Sequence, residues 1–202
     1  MDGTVIPLSA ARAQRTVSPA PREELATLSL ELHFREGGSG LDGEVQRKVH
    51  DRCIRAALVV AGREGAQLAL AGTSAHPVVE ARFEGPEAAL RAADAVVEIG
   101  HAVREAQRSG ERSISVAAAV AAGTSTTTPA GVTVASGSPW RVADRLRDRA
   151  RPGELLLGGT AAERAAQELS ATSEGGAPID GAVGTVPVWH LRVASHPTES
   201  ID

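Results

Sequence analysis

The sequence predicts one mixed α+β domain in which strand hairpins and helices pack on a sheet. Three observations carry this. Stretches of two-residue and 3.6-residue apolar periodicity follow one another in the order βαββαββαβαβ, with no internal repeat. A chain of 202 residues, 42% hydrophobic and 23% charged, is long enough for one well-cored globular domain and short for two. The stretch Thr133 to Gly158 reads as a complete strand, turn, helix, turn and strand.

Composition narrows the function classes. Aromatic residues make up 2% of the chain, with Phe34, Phe83, Trp140 and Trp189 as the whole supply, so Ala, Val and Leu must fill the core. That scarcity argues against a stacking platform for single-stranded nucleic acid. A net charge of -4 argues against binding to a phosphate backbone. Cys53 is the one cysteine, which excludes an intrachain disulfide and a zinc site built on thiolates. No apolar run is long enough to cross a bilayer, and the N-terminus lacks the apolar core of a signal peptide. The expected location is cytoplasmic. The Ala- and Arg-rich usage is of the kind found in GC-rich bacterial genomes.

In chain order, residues 1–22 read as a polar tail with a short strand at Thr4 to Leu8. Leu25 to Phe34 alternates, with Leu28, Leu30, Leu32 and Phe34 on one face and Ser29, Glu31 and His33 on the other. Arg35 to Gly43 is a Gly-rich turn that matches no phosphate-loop pattern, and Glu44 to Gly62 fits a helix. Gln67 to Leu70 and Val78 to Phe83 form a hairpin, and a long helix opens at Pro86. Ser113 to Ala122 is a buried strand, Gly123 to Gly131 a polar hairpin loop, and Val132 to Ala135 the returning strand.

The helix after Pro139 places Trp140, Ala143, Leu146 and Ala150 on one apolar face, with Ser138 as its N-cap. Arg141, Asp144, Arg145, Asp148 and Arg151 lie opposite, spaced so that they can pair with one another as a solvated face. Pro152-Gly153 ends the helix and Leu155 to Leu157 is a short buried strand. A helix at Thr160 to Leu169, a Gly-rich loop and a strand at Val186 to Val193 complete the domain, with helices expected on one face of the sheet. The histidines His33, His50, His76, His101, His190 and His196 show no metal-ligand spacing.

The segment ADRLRDRARPGELLLG resembles a signature of the class III nucleotidyl cyclases, the adenylate and guanylate cyclases. Weaker likenesses follow in the right order at Phe83 to Leu90, Ile114 to Gly123 and Val186 to Leu191. The resemblance spans Leu25 to Val193 and implies a ferredoxin-like α+β fold with an antiparallel-rich mixed sheet. On it, residues 23–195 form a cyclase-homology domain and residues 196–202 a frayed end. It also implies a head-to-tail pair of domains with ATP or GTP at the shared interface. Two aspartates there would hold two metal ions that activate the 3′-hydroxyl and neutralise the triphosphate.

Carried over residue by residue, the chemistry is incomplete. The first metal aspartate falls near Glu31 or Leu32, and Glu31 also reads as the exposed half of an alternating strand. The second belongs in the hairpin at residues 71–79, AGTSAHPVV, which has no carboxylate and carries Pro77 about where the aspartate belongs. The ribose-orienting asparagine aligns with Arg141, the phosphate-stabilising arginine is kept as Arg145, and the purine-selecting acid aligns with Ser138. The base-selecting lysine is missing near Gln67.

The expected function is therefore a catalytically inactive cyclase-homology domain that acts as a regulatory or protein-interaction module, with no cofactor and no metal. Its expected partner is a second copy or another cyclase-like or signalling protein, with no nucleic acid and no membrane insertion. One alternative is a nucleotide sensor gripping its ligand through Ser138, Arg141 and Arg145. The other is a divergent active cyclase using Glu31.

Overall fold

The computed structural model describes residues 22–34, 43–73, 77–107, 114–127, 133–135, 138–179, 182 and 184–193. The expected short strand near the N-terminus, the Gly-rich turn across residues 35–42 and the C-terminal end lie outside these residues, as do His76 and His196.

The chain begins with strand β1 (Arg22–Phe34), helix α1 (Gly43–Arg63), a hairpin of β2 (Gln67–Gly72) and β3 (Pro77–Glu84), and helix α2 (Ala88–Gln107). Strands β4 (Ile114–Thr127) and β5 (Thr133–Ala135), helix α3 (Pro139–Arg147) and strand β6 (Glu154–Gly158) follow. A 3-10 turn (Thr160–Ala162) leads into helix α4 (Glu163–Glu168), and β7 (Thr172–Pro178) and β8 (Thr185–Arg192) close the fold. The sheet runs β2-β3-β1-β4-β6-β8-β7, with β5 paired to β4. All of its pairings are antiparallel except β4 with β6, which α3 connects as a crossover.

Strand alternation builds two cores. On one face Leu28, Leu30 and Leu32 of β1 meet Val79, Phe83, Val120 and Leu155, under Val96, Ile99 and Val103 of α2 and Cys53 and Ala57 of α1. On the other, Ala119 and Ala121 of β4, Leu156 of β6 and Val186 and Val188 of β8 receive Val142, Ala143 and Leu146 of α3. The expectation that all helices share one face is corrected here: α3 takes the opposite face. The cause is the alanine run in β4, whose small side chains let a helix approach closely on that side. Burying Leu146 there contributes roughly 1.5–3 kcal/mol.

Several local expectations are also corrected. Trp140 is not on the buried stripe but 55% exposed, because Pro139, Val142, Ala143 and Leu146 satisfy the same helical period and face the sheet. Ser138 is no side-chain cap: it adopts φ 44° and ψ 62°, and its hydroxyl makes no capping bond. Its carbonyl oxygen instead accepts the amide of Arg141 at 3.0 Å. Helix α2 begins at Ala88 and not at Pro86, and the Glu24 carboxylate of β1 accepts the amide of Ala89 at 2.8 Å. That carboxylate serves one of the unpaired donors of the first helical turn. Strand β4 extends through Thr127 where a loop was expected from Gly123, and the expected Gly-rich loop after α4 contains β7.

Candidate functional site

The site is built on the sheet face that α3 shares. There β1 presents Thr27, Ser29, Glu31 and His33, and register sets Arg82 and Glu80 of β3 opposite Thr27 and Ser29. On the other flank, β4 sets Ala121, Ala119 and Ala117 opposite Thr27, Ser29 and Glu31. Because these alanines hold α3 down, Asp144 and Arg147 reach β1, on the side of the helix that also carries Trp140. Those three positions fall along one stripe at four- and three-residue spacing.

Ser29 is the hub. It is buried at 1% exposure, its hydroxyl donates to Asp144 Oδ1 at 2.9 Å, and it accepts from Arg147 Nη1 at 3.0 Å. Arg147 also lies 3.4 Å from Asp144 Oδ1 and donates from Nη2 to Asp148 Oδ1 at 2.7 Å. Its Nε is buried without a hydrogen bond, and Glu31 Oε2 stands 4.0 Å away, close enough for charge compensation. His33 Nε2 approaches the same Glu31 oxygen at 3.8 Å.

Of the residues singled out from sequence, Glu31 is therefore drawn into the cluster, and its guanidinium neighbour is Arg147. Arg141 and Arg145 lie on the exposed side of α3: Arg141 stands over the Trp140 ring, 4.9 Å from its centroid, and Arg145 is 3.9 Å from Asp148. Ser138 is half-buried at the start of the same helix. The expected pairing along α3 is present for Arg145 with Asp148, and Asp144 pairs with Arg147.

Sequence reasoning missed Ser29, Arg147 and Glu80 as site residues. Glu80 lies one residue beyond the hairpin searched for a carboxylate, and diagonal to Glu31 on the same face. Its signal was there, since β3 reads VVEARFE with Glu80 on the polar half of the alternation. Among the described residues, no three His, Cys, Asp or Glu side chains come together in a way that holds a metal ion.

The sequence matches no protein-family model and no curated protein. Solved structures do match, at low identity. The adenylyl cyclase CyaB from P. aeruginosa superposes with a TM-score of 0.60 at 14% identity, covering 88% of this chain and 97% of that one. The chain has the fold of the class III adenylyl and guanylyl cyclase domains. An adenylate/guanylate cyclase/hydrolase from Silicibacter pomeroyi gives a TM-score of 0.57 at 18% identity, over 85% of this chain and 97% of that one. The guanylate cyclase domain of RhGC from Catenaria anguillulae, solved in complex with GTP, gives 0.60 at 14% identity, over 86% and 99%. In this cyclase fold, no helix among the described residues is long and apolar enough to cross a membrane.

Proposed function

We propose that this chain is a catalytically inactive cyclase-homology domain serving as a regulatory or protein-interaction module. The observation that carries the reading is the environment of Glu31, where the cyclase resemblance asks for the first metal ligand. That carboxylate lies beside the Arg147 guanidinium at 4.0 Å, with the His33 ring at 3.8 Å, so a positive group of the chain itself stands where a cation would. Asp144, the nearest carboxylate on α3, is already bonded to Ser29 and paired with Arg147. Residues 71–79 contribute no carboxylate, and Arg141 stands at the position that aligns with the ribose-orienting asparagine. This donor set does not fit two hard divalent cations, which need several carboxylate oxygens free of such partners.

In this role the fold is kept as a scaffold. The module works in a pair, with a second copy or with another cyclase-like or signalling protein, and acts on that partner without turning over nucleotide. Purified protein incubated with ATP or GTP and either Mg²⁺ or Mn²⁺ tests it directly: no cyclic nucleotide should accumulate above a no-protein control. Cyclic product that disappears in Glu31→Ala or Glu80→Ala would establish a divergent active cyclase instead.

A second reading has its own observation. Trp140 and Arg141 offer an exposed ring and a stacked guanidinium at the start of α3, one helical turn from Arg145. This pattern supports a nucleotide sensor that binds without turnover. Calorimetry with ATP, GTP and the cyclic nucleotides decides it, and absence of heat with all of them removes the reading.

A further inference from the structure

The two outer strands of the sheet differ in how their edges are guarded. Strand β7 (TSEGGAP) carries Glu174, two glycines, Pro178 and a register shift between Ser173 and Gly175. Charge, proline and bulges are devices that keep an edge from pairing with another strand. Strand β2 (QLALAG) has none of them, and among the described residues no strand lies beyond it. Its Leu68 and Leu70 are 40% and 57% exposed, and Val59 of α1 is 66% exposed. Leu68 borders that helix, since a Cβ placed at Gly62 would meet its Cδ1 at 3.5 Å.

The ladder fixes which backbone groups of β2 point outward. Pro77 has no amide to give Gly72 opposite it, so that pair is of the non-hydrogen-bonded kind. Alternation then bonds Ala71, Ala69 and Gln67 to β3 and turns the amides and carbonyls of Leu70 and Leu68 outward. The other side of β3 gives the same phase. There the Gly85 amide donates to the Glu24 carbonyl at 2.9 Å, so Ala81 and Val79 bond to β1 and Glu80 is left for β2.

We infer that this edge takes a segment of the same chain, Thr4 to Leu8, as an antiparallel strand. The stretch TVIPL holds three large aliphatic residues in five, whereas every other undescribed stretch holds at most one. The chain also leaves the sheet at the right place. Strands β1 and β2 both run antiparallel to β3, and Thr27 and Gln67 both stand opposite Arg82. Arg22 therefore starts β1 beyond the Gln67 end of β2, and the outer side of β2 is three strand spacings away, about 14 Å. Residues 9–21 reach about 40 Å when extended, enough to cross and turn back along β2. Such a tether holds its segment at an effective concentration on the order of millimolar, which favours it over a separate chain.

Pro7 sets the phase of the pairing. A proline is tolerated in an edge strand where its missing amide faces away from the partner. With Pro7 facing out, Ile6 and Leu8 turn their backbone groups to β2, opposite Leu70 and Leu68. Their side chains then fall on the face of Leu68, Leu70 and Val59, and Pro7 guards the new edge as Pro178 guards β7. This goes beyond the proposed function and does not rest on it.

Amide exchange followed by NMR on the full chain tests it. In the unaltered protein the outward amides of Leu68 and Leu70 should be protected, as those of Ala69 and Ala71 are by β3. Ile6→Asp puts a charge among the apolar side chains and should speed Leu68 and Leu70 at least about tenfold, with Ala69 and Ala71 unchanged. Protection should not change on about tenfold dilution, since the tether travels with the chain. Val5→Cys combined with Ala71→Cys makes a facing pair that should close a disulfide within one chain under mild oxidation. Cys53 does not compete, since it is fully buried. Fast exchange of Leu68 and Leu70 in the unaltered protein overturns the inference. So does protection that survives Ile6→Asp or is lost on dilution, and so does a V5C/A71C cross-link that forms only between chains.

Discussion

Ser29 on β1 and Asp144 on α3, 115 residues apart in the chain, share a hydrogen bond of 2.9 Å where the helix packs against the strand. The serine is fully enclosed and answers two charged groups at once, since Arg147 donates to it at 3.0 Å. Removing the hydroxyl leaves Arg147 Nη1 with only the longer 3.4 Å contact to Asp144, beside an Nε that already lacks a hydrogen bond. Ser29→Ala should therefore cost about 1–3 kcal/mol, the penalty of leaving enclosed polar groups short of partners. Chemical denaturation with an unchanged m-value measures it. A variant as stable as the parent would mean that water replaces the hydroxyl at no cost.

Two glycines predict opposite signs. Gly159, between β6 and the 3-10 turn, sits at φ 93°, and a Cβ there would collide with the backbone carbonyl oxygen of Ala122. Backbone cannot give way as a flexible side chain does, so Gly159→Ala should lose at least about 1–3 kcal/mol from strain alone. Gly62 lies in helix α1, where a Cβ meets only Leu68 Cδ1 at an ordinary 3.5 Å. Gly62→Ala should gain roughly 0.5–1 kcal/mol from the reduced freedom of the unfolded chain. Thermal melts of the two variants side by side check both signs.

Most of the fold was legible because its elements carry their own periods. Leu28, Leu30 and Leu32 announce β1, and Leu155 to Leu157 announce β6. Strand β7 was not legible, because an exposed edge buries almost nothing and TSEGGAP shows no alternation. The phase of α3 was misjudged at Trp140 because a large apolar side chain draws the stripe toward itself, although the sheet takes the smaller residues Val142 and Ala143. The site was half legible. Glu31 and the polar half of β1 follow from alternation alone. That Arg147 reaches Ser29 depends on the register of β4 against β1 and on the packing of α3 over the β4 alanines, which no local pattern in either segment contains.

Cys53 on α1 is sealed in the larger core, and burial, opposed only weakly by Arg52, pushes its thiol up to about 11. At pH 8 a thiol of that kind is ionised in roughly one molecule in a thousand, and thiolate is the form that reacts. Ellman's reagent should therefore leave the native protein unmodified on the timescale of minutes. Labelling should rise in step with unfolding across a urea titration, coincident with the circular dichroism transition. Fast labelling without denaturant would show that α1 opens away from the sheet independently of global unfolding.

Asp94 on α2 gives the clearest dependence on pH. Burial first, and then repulsion from Glu64, Glu168 and Glu98, hold its carboxyl above the ordinary value of 3.8. For an acid raised in the folded state, the contribution to stability is greatest while the group is protonated in both states. It is lost as pH rises through the raised value, since ionisation is then easier in the unfolded chain. At pH 7 the native carboxylate is thus a liability that Asp94→Asn removes. The variant should melt above the parent at pH 7, and the gap should close as pH falls toward 3.8. Added salt at pH 7 should narrow the gap only in part, because salt screens the three glutamates and leaves the burial cost in place. Melting curves across pH at two ionic strengths separate the two causes. A gap that closed entirely with salt would assign the whole shift to the glutamates, and a variant melting below the parent at pH 7 would refute the sign.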